Sequence, residues 1–192
     1  DTEEVRDLLE DIRDMYDEVD TFLFNSYPAW AEGKAAFWKN RALSEAYVLC
    51  PIDTALSKLG DDEVSEDGSA MTNKKAVQCF EKLVKALKPS HPDAWREYIR
   101  YAMQSQPLTI AATVASLRKI RGLYNRAMSS VKKACQETSL SVDNKQSWMG
   151  TGVNAALLDR DYDSSLIDLC REYLEFERNY GSLESFSHAQ TQ

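Results

Sequence analysis

The stretch CFEKLVKALKPSHPDAWREYIRYA, residues 79–102, joins two helical patterns through a loop that contains two prolines. At its start, apolar residues recur at steps of three and four positions: Ala76, Cys79, Phe80 and Leu83. Because an α-helix has about 3.6 residues per turn, these side chains share one face. The pattern predicts a helix that buries this face.

The second half of the stretch predicts another helix. Pro89 should end the first helix near Lys88, and Pro92 suits the first turn of the second because its missing N–H would have no partner there. Aromatic residues then follow at three-residue steps: Trp95, Tyr98 and Tyr101. Two helices joined by so short a loop pack antiparallel, so the stretch predicts an αα-hairpin.

The same apolar spacing recurs over residues 5–23 and 120–134, with an aromatic residue in the same register of each copy: Tyr16, Phe80 and Tyr124. These aromatic residues are 64 and 44 residues apart. Helical-hairpin repeats are commonly about 33–47 residues long, so the longer interval fits once an insertion is discounted. The repeats predict an all-α protein, an α-solenoid of about three antiparallel helical hairpins that forms one array over residues 1–192.

The C-terminal end continues this series. An aromatic stripe of the second kind recurs at Tyr173, Phe176 and Tyr180. Gly181 is a suitable helix C-cap and Ser182 a suitable N-cap, so residues 183–192 should be the first turns of a further helix. Since the chain also lacks an initiator Met, we expect it to be a piece of a longer protein.

Four breaks are expected between the patterned helices. A helix over 35–49 should end at Pro51. Residues 60–73, GDDEVSEDGSAMTN, are acidic and small, and predict an exposed or disordered insertion. Polar loops are expected at 138–147 and 159–165, with a short helix between them.

Charge is unevenly distributed along the chain, whose net charge is −8. Residues 1–20 carry ten acidic residues and two arginines, and residues 74–133 carry thirteen basic and three acidic residues. A basic middle therefore lies between acidic ends. The candidate partner-binding residues are the basic side chains expected on neighbouring helices: Lys74, Lys75, Lys82, Lys85, Lys88, Arg118, Lys119, Arg121 and Arg126.

Two partners suit such a basic face. RNA phosphates are one, although the acidic remainder of the chain disfavours them. An acidic protein surface is the other, and residues 1–20 offer one within the chain or in a second protomer. We expect protein rather than direct RNA binding, and a homodimer.

Catalytic, cofactor-binding and metal-binding residues are not expected. The string GTGVNA, residues 150–155, has the G-x-G-x-x-A form of dinucleotide sites, but the polar residues 141–148 before it do not form the apolar strand that such a site needs. If Gly68 of the insertion is aligned with the invariant glycine of a calcium-binding loop, Lys74 falls at the position that requires a glutamate. His91 and His188 lack metal-ligand spacing.

The four cysteines are far apart and form no CxxC pair: Cys50, Cys79, Cys135 and Cys170. This pattern favours free buried thiols and a reducing compartment, the cytosol or the nucleus. No apolar run approaches the roughly 20 residues of a membrane span, so no membrane partner is expected.

The repeats resemble half-a-TPR (HAT) repeats, which are helical hairpins of RNA-processing proteins. The HAT pattern of W-x-x-Y, an aromatic-Glu step and x-R-x-x-Y-x-R-A is visible at 95–98, 173–178 and 120–127, while the 28–49 helix lacks the aromatic-Glu step. The closing sequence EFERNYGSLE, residues 175–184, is similar to the end of the C-terminal HAT half of the U4/U6 snRNP recycling factors.

This resemblance implies a non-catalytic, nuclear scaffold for protein–protein contacts and dimerisation in pre-mRNA splicing, where it would serve U4/U6 snRNP assembly and recycling. It implies protein partners, among them a ubiquitin-specific protease and snRNP proteins. Two alternatives stay open. One is an RNA-binding helical-repeat module that uses the basic residues 74–133, and the other is a HAT scaffold of the mRNA 3′-end cleavage machinery.

Overall fold

A computed structural model describes six ranges of the chain: residues 2–26, 31–59, 67–86, 92–105, 114–145 and 153–191. Every regular element in these ranges is helical, which confirms the predicted all-α class. The chain divides into two compact units, Asp1–Lys88 and Pro89–Gln192. Each unit is described by itself.

The first unit begins with a long helix. Its described elements are α1 (Thr2–Ser26), α2 (Ala31–Ser44), a π-helical turn (Glu45–Leu49), α3 (Cys50–Leu59) and α4 (Asp67–Ala86). α4 packs along α2 and α3, and α1 packs against the same two helices. The core lies between these faces and includes the buried side chains Trp38, Ala42, Ala46, Leu49, Leu56, Ala76, Phe80, Leu83 and Val84.

The π-helical turn explains why the chain stays helical at Pro51. In a regular helix the proline ring would clash with the carbonyl group four residues earlier. Proline also has no N–H that could donate a hydrogen bond to that carbonyl. Here the Cys50 N–H donates to the Glu45 carbonyl five residues back, so the turn just before Pro51 is widened by one residue. α2 therefore continues into α3, and the prediction that the helix ends at Pro51 is wrong.

The patterned face of α4 is buried as predicted. Ala76, Cys79, Phe80 and Leu83 are all buried against α2 and α3. The helix begins at Asp67, so residues 67–73 are helical rather than part of an exposed loop, while residues 60–66 lie outside the described residues. An aspartate in the first turn is favoured by the helix dipole, and the helix formers Ala70 and Met71 follow it.

The second unit is built on three helices and a short fourth one. Its described elements are α5 (Pro92–Ser105), α6 (Val114–Lys145), α7 (Val153–Tyr180) and α8 (Leu183–Ala189). α6 packs along α7, α5 packs on both, and α8 packs on α7. Pro92 is the first residue of α5, as predicted. The packing of α4 and α5 as an antiparallel hairpin stays a prediction.

Aromatic side chains fill the core of the second unit. The ring of Tyr124 on α6 lies 5.2 Å from that of Tyr173 and 5.7 Å from that of Phe176, both on α7. Most residues of the predicted stripes are buried here: Trp95, Tyr98, Tyr101, Ile120, Leu123, Tyr124, Ala127, Tyr173 and Phe176. Tyr180, the last residue of the C-terminal stripe, is 38% exposed. The aromatic residues thus pack helices together, as their spacing predicts.

Two predicted loops of this unit are helical. α6 extends to Lys145, through most of the expected loop 138–147, and α7 runs without a break through 159–165. The loop predictions rest on polar composition, and packing against neighbouring helices can override such a local preference. The prediction at 181–182 is confirmed, since α8 begins after Ser182, whose side chain accepts a hydrogen bond from the Ser185 N–H.

None of the helices in the described ranges is both long enough and apolar enough to cross a membrane.

Candidate interaction surfaces

The exposed side of α4 is a face of lysines. Lys74, Lys75, Lys82 and Lys85 are all exposed, and Lys88 lies outside the described residues. At about 100° per residue these four fall within an arc of about 100° around the helix, opposite its buried side. We call Lys74, Lys75, Lys82 and Lys85 the lysine face. Because the opposite side of α4 is packed, the helix holds these charges in fixed positions.

One member of the lysine face is tied to the body of the first unit. The Lys82 ammonium lies 4.9 Å from the centre of the Trp38 ring, and the Arg41 guanidinium lies 5.0 Å from the same ring. Arg41 also pairs with Asp17 of α1 at 2.7 Å. Because Trp38 is itself buried, these cation–π contacts anchor the base of the face.

The candidate basic residues of α6 divide into two kinds. Arg118 and Lys119 are exposed. Arg126 is exposed too, but its guanidinium lies 5.2 Å from the ring of the buried Trp95. Arg121 is only partly exposed, because it binds Glu177 of α7. The candidate residues thus fall in both units, and each group is a surface of its own unit.

The Arg121–Glu177 pair connects α6 to α7 and α8. The Arg121 Nε donates to one carboxylate oxygen of Glu177 at 2.6 Å, and Nη2 donates to the other at 2.9 Å. Nη2 also approaches the Ser185 hydroxyl of α8 at 3.3 Å. Burial alone would raise the pKa of the Glu177 carboxyl, but hydrogen bonds from Arg121 and Ser185 outweigh it and hold that pKa below its ordinary value.

A second arginine joins α5 to α7. The Arg96 guanidinium lies 3.1 Å from Glu172 and 3.4 Å from Asp168. Burial raises the pKa of Glu172, with Asp168 adding to that rise while Arg96 opposes it. These charges hold helices in place at the surface of the second unit.

The first unit contains a comparable network around the π-helical turn. Glu45, in this turn, is buried and accepts hydrogen bonds from Arg13 of α1 at 2.9 and 3.1 Å. Arg13 also donates to Asp53 of α3 at 3.1 Å. The Cys50 thiol donates to the same Glu45 oxygen at 3.4 Å. Arg13 therefore fastens α1 to the turn and to α3.

One surface feature that the sequence did not reveal is an exposed apolar row on α1. Leu8 is 57% exposed, Met15 56%, Val19 39% and Phe22 57%. The other side of α1 packs on the rest of the first unit, where Leu9 meets Leu49 and Leu56 and Arg13 binds Glu45. We call Leu8, Met15, Val19 and Phe22 the α1 stripe. Its apolar periodicity is plain in the sequence, but the periodicity does not show how much of the face is covered.

A groove of about 410 Å³ lies between α6 and α7. It is lined by Asn125, Met128, Ser129, Lys132, Leu166 and Cys170. The Cys170 sulfur lies 3.7 Å from that of Met128, and burial raises the pKa of the Cys170 thiol. The lining combines apolar side chains with the polar side chains of Asn125, Ser129 and Lys132.

The residues weighed for metal and nucleotide binding lie partly outside the described ranges. Within those ranges, no group of three or more His, Cys, Asp or Glu side chains is placed to hold a metal ion. His188 is exposed on α8, and His91 lies outside the described residues. Residues 150–152 of the dinucleotide-like string also lie outside them, and α7 begins at Val153.

Comparison of the chain with models of protein families, with curated proteins and with solved structures finds no match of any of the three kinds.

Proposed function

We propose that this chain is a non-catalytic scaffold for protein–protein contacts and dimerisation in nuclear RNA processing, built as an α-solenoid of HAT-type helical hairpins. Pre-mRNA splicing, with U4/U6 snRNP assembly and recycling, is the setting that the HAT resemblance implies. The same resemblance implies two kinds of partner, a ubiquitin-specific protease and snRNP proteins.

One observation carries the proposal: two segments that match different parts of the HAT pattern meet in the core of the second unit. Segment 120–127 lies on α6 and segment 173–178 on α7, and they join through Arg121 with Glu177 and through Tyr124 with Tyr173. Pattern residues that pack repeats against each other are what a repeat scaffold requires. These contacts use the facing sides of α6 and α7, so the outer sides of both helices are available to partners.

The lysine face supports binding to an acidic protein surface. It is exposed on a helix whose opposite side is buried, so its charges are presented without reorganisation of the fold. α1 carries nine of the ten acidic residues of segment 1–20, nearly all of them exposed. Contact between α1 of one protomer and the lysine face of another would join opposite charges, and this is the dimer that we propose.

Sedimentation tests the dimer. Equilibrium sedimentation should show association that weakens as salt is raised, because salt screens charge pairs at the surface. The double variant Lys74→Glu/Lys85→Glu should be monomeric. Lys39→Glu/Lys132→Glu, which reverses two exposed lysines outside the lysine face, should associate like the unmodified chain. A 21.8 kDa monomer at high concentration would contradict the proposed dimer.

RNA binding is the second candidate, favoured by the four exposed lysines on α4 together with Arg118 and Lys119 on α6. A gel shift with U4/U6 snRNA separates the two functions. We expect no shift at micromolar protein. A micromolar, salt-dependent shift that the Lys74→Glu/Lys85→Glu variant abolishes would replace the protein-scaffold proposal with an RNA-binding module.

A further inference from the structure

The α1 stripe is a continuous apolar surface. Its residues are separated by seven, four and three positions, so they follow one line along the helix. Each is more than a third exposed, and Val5 extends the exposed apolar surface toward the start of α1. Scattered apolar side chains are normal on a protein surface, but a contiguous row of large ones marks a contact site.

Carboxylates border this stripe on the side away from the body of the unit. By helical position, Asp11 and Glu18 lie next to it, and Asp7 and Asp14 follow further around; all four are exposed. On its other border, α1 packs on the unit through Leu9. A partner seated on the stripe would therefore contact apolar side chains and, along one edge, a row of negative charge.

This arrangement selects against a second copy of α1. Two stripes packed face to face would bring two acidic rows together, and residues 1–20 carry a net charge of −8 in each copy. Like charges across an interface disfavour it. The lysine face offers the opposite charge, but the residue between its lysines on the helix surface is Gln78 rather than a large apolar side chain.

We propose that the α1 stripe is the docking site for a basic amphipathic helix of a partner protein. Such a helix has large apolar residues at the i, i+3, i+4 and i+7 positions and Lys or Arg beside them. The apolar residues pack on Leu8, Met15, Val19 and Phe22, and the basic residues pair with Asp11 and Glu18. This docking rests on the proposed function, since it names the kind of partner that the scaffold holds.

Fluorescence anisotropy with three labelled peptides tests the docking. Each peptide has about 18 residues, or five helical turns. The first is basic and amphipathic, the second has the same apolar positions with Glu in place of Lys and Arg, and the third has the composition of the first in an order without helical periodicity. The first should bind, and the other two should bind at least about tenfold more weakly.

Two variants locate the site. Leu8→Ser/Met15→Ser should weaken binding of the first peptide by about tenfold or more, because the peptide loses two apolar contacts. The matched control is Val114→Ser/Ile167→Ser, which replaces two large apolar residues of the second unit that are 70% and 58% exposed. It should leave the affinity unchanged. Asp11→Asn/Glu18→Gln should reduce both the affinity and its dependence on salt.

The remaining outcomes would overturn the inference. If the first and third peptides, which are both basic, bound equally well and Leu8→Ser/Met15→Ser did not weaken them, the site would recognise positive charge alone and not an apolar helix face. Absence of peptide binding, together with a dimer that the Leu8→Ser/Met15→Ser variant dissociates, would show that a second copy covers the stripe. The proposed function fails separately, through its RNA gel shift and the sedimentation of the lysine-face variant.

Discussion

Arg121 of α6 and Glu177 of α7 face each other across the second unit through two hydrogen bonds of 2.6 and 2.9 Å, although 56 residues separate them in the chain. The Glu177 carboxylate is fully buried, while the Arg121 side chain keeps about a third of its exposure. A buried carboxylate is stable in this position only because the guanidinium and the Ser185 hydroxyl surround it. The pair therefore orders α6, α7 and α8 together.

Removing one partner of this pair should destabilise the second unit strongly. Arg121→Ala leaves the buried Glu177 carboxylate without its cation, at a cost of about 3 kcal/mol in the free energy of unfolding. Urea unfolding followed by circular dichroism measures this. Glu175→Gln, which changes an exposed glutamate on the same helix, should stay within about 0.5 kcal/mol of the unmodified chain. Equal effects of the two substitutions would show that the pair is not structural.

The pH dependence of stability should report the same pair. Because the pKa of Glu177 is lowered in the folded state, its stabilising contribution is complete above the ordinary value of 4.5 and is lost as pH falls through the folded-state pKa. The difference in unfolding free energy between the unmodified chain and Glu177→Gln isolates this contribution from that of other carboxylates. The difference should be constant near neutral pH and shrink below about pH 4.5. A difference that grows on acidification would contradict the lowered pKa.

The buried stripes could be predicted because they depend on local spacing alone. Phe80 and Tyr124 are buried where the three- and four-residue steps put them. Lys74 and Lys85 are exposed for the same reason, since they lie opposite the apolar side of α4. Periodicity determines which side of a helix is apolar, and in α4 and α6 that side is also the covered one.

The ion pairs could not be predicted, because their partners are remote in sequence. Glu45 is 32 residues from Arg13, and nothing in the pattern around either residue points to the other. From the sequence, Arg121 is assigned to a basic surface, because nothing in the local pattern shows that Glu177 is its partner. α1 shows a different limit: its apolar face is as regular as that of α4, yet Leu8 and Met15 are more than half exposed. How far a face is covered depends on what packs against it.

Two glycine-to-alanine substitutions should have opposite effects. At Gly181, a Cβ atom would come too close to the side chain and carbonyl of Glu177 and to the Ser185 hydroxyl. Gly181→Ala should therefore lower the free energy of unfolding by about 1–3 kcal/mol. Gly122→Ala lies inside α6 with no atom near its Cβ position, and should raise it by about 0.5–1 kcal/mol, because alanine has the higher helix propensity.

Urea unfolding gives both values, and hydrogen exchange locates the effect of the first. Gly181→Ala should increase exchange of the amides in α8 and at the end of α7, since it disturbs the junction that Gly181 forms by donating its N–H to the Glu177 carbonyl. Gly122→Ala should leave α8 unchanged. A stabilising Gly181→Ala would mean that the junction has room for a methyl group.

Cys50 should be alkylated more slowly than Cys170. Burial and the neighbouring Glu45 carboxylate raise the pKa of its thiol to about 12, whereas Cys170 is only half-buried and has its pKa raised by burial alone. Because the thiolate is the reactive form, the raised pKa makes Cys50 poorly reactive at pH 8. Iodoacetamide labelling with mass spectrometry of each peptide should show Cys170 modified well before Cys50 in the folded chain, and both at similar rates in denaturing urea. Equal rates for Cys50 and Cys170 in the folded chain would show that neither burial beside the π-helical turn nor the Glu45 carboxylate slows the alkylation of Cys50.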